Sequence, residues 1–142
     1  MPERISQSGS LSLSSDPVEV EGLLTRLELI LEHSCLDEMS AFQLCCAVVE
    51  VVNNCIQHAY MEEAGHPIDI SYELGTDRVK ITVSDQGHEF QGPVETVPAV
   101  PMSESGRGLE IVKAWVSELQ FERKGDWNVC LLEQGSQGGS GH

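Results

Sequence analysis

Three short groups of residues have the types and spacing for chemistry. The first is a polar stripe of Gln43, Glu50, Asn54 and Gln57. At 100° per residue these four fall within about 60° of one another on a helix, and Glu50 and Asn54 sit one turn apart. A carboxylate and an amide oxygen so placed suit a hard divalent cation, or one water or hydroxyl beside one metal. The second group is Ser84-Asp85-Gln86-Gly87, at the end of an alternating run. Asp85 there can accept a hydrogen bond from an exocyclic amine, and Gly87 permits close approach of a ligand. The third is Gly106-Arg107-Gly108-Leu109. Its two glycines bare backbone N–H groups at a helix N-terminus, a ready anion site, and Arg107 adds a charged donor. Each group alone also has an ordinary explanation: a solvated helix face, a turn leaving a strand, a flexible start to a helix.

The elements that must position these groups follow from the hydrophobic pattern. Leu11–Ser14 alternates and predicts a short strand. Ser15-Asp16-Pro17 starts a helix that the spacing of Val20, Leu23, Leu24, Leu27, Ile30 and Leu31 carries to about His33. A second helix is predicted from a Ser40 cap to about Met61. Its circumference is apolar nearly all round, the mark of a buried helix. Ile68–Leu74 and Val79–Val83 alternate across a Gly75-Thr76-Asp77 turn and predict a hairpin. Residues 86–105 hold two Gly and three Pro without periodicity, a long loop of the kind that carries function. A third helix over about 108–117 and two strands near 118–123 and 127–133 complete the order. Helices first and alternating strands after predict an α+β two-layer sandwich, its mixed, mainly antiparallel sheet covered by helices on one face. Residues 1–9 read as a flexible leader, 10–133 as one domain, and 134–142 as a flexible Gly/Ser-rich tail.

Composition narrows the function. Eight Lys+Arg against 23 Asp+Glu give a net charge of −15 over 142 residues. That argues against nucleic acid, whose binders need a basic face, while leaving room for a nucleotide whose charge a metal neutralises. The pattern predicts no membrane-spanning stretch, and the N-terminus shows no secretory h-region, which points to the cytoplasm. The five cysteines, Cys35, Cys45, Cys46, Cys55 and Cys130, match no zinc or disulfide spacing and read as reduced, mostly buried small hydrophobes.

The order helix Glu-x-x-x-Asn, strand–Asp-x-Gly, loop, Gly-x-Gly–helix, with 35 and 21 residues between Glu50, Asp85 and Gly106, resembles the GHKL ATPase superfamily (the Bergerat fold). Within it the chain looks most like bacterial anti-sigma-factor serine kinases. Ala47–Tyr60, with its His-Ala-Tyr ending, resembles their N-box helix; Ser84–Gly87 resembles the first glycine box and Ser105–Val112 the second. The resemblance implies ATP and Mg²⁺ as cofactors. It makes Glu50 the base that activates a serine hydroxyl or a water, Asn54 the Mg²⁺ ligand and Asp85 the adenine-amine acceptor. It makes Gly87 a shaper of the adenine pocket, residues 88–105 the lid, and Ser105, Gly106, Arg107, Gly108 and Leu109 the phosphate-binding segment. It also implies a STAS-domain anti-anti-sigma factor as substrate, a sigma factor as second partner, and a homodimer.

The chain departs from the pattern in places. Glu104 stands where sporulation-type members carry an arginine. Trp127-Asn128 stand where a Thr pair approaches the phosphates, so Asn128 replaces a hydroxyl donor among the nucleotide-binding residues. Lys113, Arg123 and His58 receive no chemical role. Partner switching by a kinase is the leading expectation. The alternative is a nucleotide-gated binding module of the same fold that sequesters a protein without phosphoryl transfer.

Overall fold

A computed structural model describes residues 5–60, 65–87 and 113–136. Five strands form one sheet: β1 (Ile5–Ser14), β2 (Pro67–Gly75), β3 (Arg78–Asp85), β4 (Glu118–Lys124) and β5 (Trp127–Gly135). Their order is β1-β2-β3-β5-β4. Every pairing among the described residues is antiparallel, where a partly parallel sheet was expected. The α+β two-layer architecture itself stands as read.

Three helices lie against the sheet: α1 (Pro17–Glu21), α2 (Leu23–Leu31) and α3 (Glu38–Asn54). The first predicted helix is broken at Gly22, which ends α1 and starts α2 without a side-chain cap. Asp16 caps α1 as read, accepting from the Val18 N–H. The cap of α3 is Asp37, which accepts the Ser40 N–H at 2.7 Å. Ser40 is thus buried in the first turn and is not the cap. The helix starts one turn earlier than the serine implied, so the aspartate accepts the N–H of Ser40 itself.

By length and composition Glu38–His58 is apolar enough to cross a membrane. In the fold it is the core helix instead. Leu44, Ala47, Val48, Val51 and Val52 are buried, as are Leu23, Leu27 and Leu31 of α2. The strands supply the other half of the core on alternate positions: Ile68 and Ile70, Val79, Ile81 and Val83, Cys130 and Leu132. Each large aliphatic side chain so buried contributes about 1.5–3 kcal/mol.

Both ends of the sheet extend beyond the sequence reading. Residues 5–9, expected to be loose, pair in β1 with the far end of β2. A Cβ at Gly9 would collide with the hydroxyl and ring of Tyr72, its direct partner on β2, so the glycine lets the ring lie across β1. Gln134, expected in the tail, is buried in β5. Its amide donates to the Trp115 and Ser40 carbonyls at 2.9 and 3.3 Å and accepts from the Ser117 N–H and hydroxyl, both at 3.1 Å. Of the predicted third helix, residues 113–115 are helical, Val116 and Ser117 are a bend leading into β4 where helix was expected, and residues 108–112 lie outside the described residues.

Candidate nucleotide-binding site

The polar stripe of α3 is built within one helix. Asn54 is 5% exposed, and Glu50 is half-buried one turn before it. The Asn54 amide nitrogen donates to the Glu50 carbonyl at 2.8 Å and to Glu50 Oε2 at 3.3 Å. That fixes the amide with its nitrogen toward Glu50 and leaves Oδ1 as a hard oxygen donor on the other side. Among the described residues no group of three His, Cys, Asp or Glu could hold a metal alone. One protein oxygen beside a carboxylate fits Mg²⁺, which takes few protein ligands and fills its shell with waters and phosphate oxygens.

After Asn54 the helix widens into a π turn, Cys55–Ala59, closed by the Tyr60 N–H on the Cys55 carbonyl at 2.9 Å. Such turns are rare and cluster at functional sites. This one carries two links to the second group. The buried Cys55 thiol lies beside the Asp85 carboxylate. The Tyr60 hydroxyl donates to the Pro67 carbonyl at 2.7 Å and accepts the Gln86 N–H at 2.6 Å, while its ring stacks on His66. Burial raises the Tyr60 pKa, so the hydroxyl stays protonated for both bonds.

Asp85 ends β3 and is 3% exposed. Its Oδ1 accepts the Gly87 N–H and the Asn128 amide, each at 2.8 Å. An ionised carboxylate offers about four acceptor positions. Among the described residues these two donors meet Oδ1, so Oδ2 keeps acceptor capacity for the N–H of a ligand. Two thiols, Cys55 and Cys130, stand close to the carboxylate. Burial, then the nearby Asp85, pushes the Cys55 and Cys130 thiols well up, so both stay neutral. An accept-only group with capacity left on Oδ2 in such a setting matches an exocyclic amine.

The register explains the cluster. Asp85 pairs with Asn128 across β3 and β5, and Asn128 pairs with Arg123 across β5 and β4. The three form one row across three strands. Arg123 donates at 3.0 Å to both Asn128 Oδ1 and the Gly87 carbonyl, and at 3.1 Å to the Gly125 carbonyl. It therefore sets the amide of Asn128 with its nitrogen toward Asp85, and it ties down the turn at Gly87. The sequence reading placed Asn128 near the phosphates; the register puts it beside Asp85. That reading gave Arg123 no role. The signal was present, because the two-residue turn Gly125-Asp126, with Gly125 at φ +61°, sets Arg123 opposite Asn128.

The structure thus brings Glu50, Asn54, Asp85, Gly87 and Asn128 into one region, joined through Cys55, which follows Asn54 directly. Ser105, Gly106, Arg107, Gly108 and Leu109 lie outside the described residues, as do Glu104 and the expected lid. The cysteine reading holds for Cys45, Cys55 and Cys130, which are buried; Cys35 and Cys46 are half-buried, and all five are free thiols.

Comparison with known proteins gives relatives and a family. The chain is 28% identical over 96 residues to the serine-protein kinase RsbW of Bacillus subtilis, covering 61% of the chain and 60% of the relative. It is 33% identical over 94 residues to RsbW of Halalkalibacterium halodurans, covering 60% and 56%. The chain thus matches about three-fifths of the length of these curated relatives. Among solved structures, the RsbU and RsbW domains of a Mycobacterium tuberculosis protein superpose with a TM-score of 0.67 at 18% identity, over 91% of this chain and 32% of that one. The histidine kinase domain of a blue-light-activated kinase from Erythrobacter litoralis gives 0.53 at 17% identity, over 84% and 60%. These two show the shared fold. A family model described as a histidine kinase-like ATPase domain matches residues 13–132, and the chain belongs to that family.

Proposed function

We propose that the chain is an ATP-dependent protein serine kinase that works as an anti-sigma factor by partner switching. It binds and inhibits a sigma factor, and it phosphorylates a serine of a STAS-domain anti-anti-sigma factor. The observation that carries this reading is the Glu50–Asn54 pair. A module that only held nucleotide would need the oxygen of Asn54 but no carboxylate fixed beside it. The relatives named serine-protein kinases support the same reading.

In this function Asp85 accepts the adenine amine, with Asn128 and the Gly87 N–H holding its carboxylate in place. Asn54 supplies one oxygen to Mg²⁺, which neutralises charge on the phosphates when bound. Glu50 takes the proton of the attacking serine hydroxyl. Ser105–Leu109 bind the phosphates through backbone N–H groups. The protein acts in the cytoplasm, as a homodimer.

The test is incubation of purified protein with Mg²⁺, γ-labelled ATP and the STAS-domain protein encoded nearest its gene, with Glu50→Gln in parallel. Label is expected on a serine of the STAS protein, and Glu50→Gln is expected to slow transfer by about 10²–10⁴-fold. Tight ATP binding with no transfer would make the chain a nucleotide-gated binding module.

A further inference from the structure

A groove of about 490 Å³ runs between the C-terminal half of α2 and the first turns of α3. Its walls are Leu29 and Phe42, and its floor includes Leu36. Leu29 is 64% and Phe42 47% exposed, two of the four most exposed large apolar side chains among the described residues. An apolar patch rimmed by polar groups marks a binding surface. The rim here is acidic: Glu28 on α2, Glu32 at its C-cap, and Glu38 on α3. No lysine or arginine lines the groove. The described ion pairs, Arg78–Glu133, Lys80–Glu133 and Lys124–Glu122, all lie on the sheet. Glu32, at the C-cap of α2, stands one turn after Glu28, an arrangement that weakens the helix end unless a cation lies between them.

We propose that this groove docks a basic amphipathic helix of a partner protein. Apolar side chains at i, i+3 or i+4, and i+7 of that helix enter between Leu29 and Phe42, and its flanking Lys or Arg meet Glu28, Glu32 and Glu38. The volume suits a few such side chains and lies within the ~300–1,000 Å³ of ordinary pockets. Charge argues against a second copy of this chain as occupant. A two-fold pairing of the groove would set the three glutamates against glutamates, in a chain carrying −15. The inference stands on the groove alone and holds whether or not the kinase reading does.

The test is a fluorescence-anisotropy titration of the full chain with a synthetic Leu/Lys peptide whose leucines line one helical face. A peptide of the same composition, scrambled to remove that face, is the control. The amphipathic peptide is expected to bind at least about tenfold tighter than the control and to weaken with salt. Glu28→Lys with Glu32→Lys, and separately Phe42→Ser, are each expected to weaken it about tenfold or more. Both variants are expected to keep the wild-type circular dichroism spectrum and ATP affinity, because these side chains are exposed and belong to no part of the nucleotide site. Equal binding of the scrambled peptide, or unchanged binding by both variants, would overturn the proposal. So would a dimer seen by sedimentation that Phe42→Ser dissociates, since the groove would then belong to a second copy.

Discussion

The two halves of the candidate nucleotide site are built by different means. Glu50 and Asn54 belong to one helix, and the bonds that orient Asn54 run four residues along it. Asp85 is held among groups from four places: Gly87 from its own turn, Asn128 from β5, Cys55 from the π turn, and Arg123 at one remove from β4. The first half forms wherever α3 forms. The second exists only when the β3–β5 and β4–β5 registers are both correct. In the proposed function, catalytic chemistry is therefore lodged in the locally specified half, and recognition of the base in the half that reports the fold.

The sharpest way to break this contrast is to change one residue in each half. Asp85→Asn replaces the accept-only group with an amide and is expected to weaken ATP by about 10–100-fold in calorimetry, as for the loss of a bond to a charged group. Glu50→Gln is expected to leave ATP affinity within a few fold while slowing transfer by about 10²–10⁴-fold. Equal losses of affinity in both would show that the two halves are not separable.

A second probe is alkali. Burial pushes the Cys45 thiol from 9.0 up to about 12, and those of Cys55 and Cys130 are also raised well above 9.0. Above pH 9 the unfolded chain loses these protons and the folded one keeps them. Stability is therefore full below pH 9 and falls as pH rises, by up to about 1.4 kcal/mol per pH unit for each thiol. Urea midpoints between pH 8 and 11 should fall steadily, and Cys55→Ala with Cys130→Ala should flatten the slope. A level profile in the native chain would sink the argument.

The smallest expected effect is the most specific. Arg123 is exposed, and Arg123→Ala is expected to cost only about 0.5–1.5 kcal/mol in ATP affinity. It should also narrow the preference for ATP over inosine triphosphate, which lacks the exocyclic amine, because the Asn128 amide is then free to turn. Arg123→Lys, which keeps the charge but not the fork, should restore only part of the preference. An unchanged ratio in Arg123→Ala would leave the arginine as surface packing.

The same contrast explains what was legible in the sequence. Glu50 and Asn54 could be found from helical spacing alone, and the alternation of β2, β3 and β5 displayed the sheet. The row Arg123–Asn128–Asp85 is a property of strand pairing across 43 residues of sequence, and no local period announces it. The break at Gly22 and the Asp37 cap were missed for a different reason: neighbouring residues each satisfied the same local rule, and packing chose between them. Gln134 was assigned to the tail by its Gly/Ser-rich neighbours, whereas its buried amide joins the end of α3's first turn to residues 115–117.

Gly9 and Tyr72 carry a consequence for inheritance. The ring lies where a side chain on β1 would stand, so Gly9 cannot gain a side chain while Tyr72 is kept. Among relatives the two are expected to vary together, a glycine on the first strand travelling with an aromatic on the second. A lineage that lost the ring would lift the constraint on Gly9, and the edge of the sheet would then be open to any residue that favours a strand.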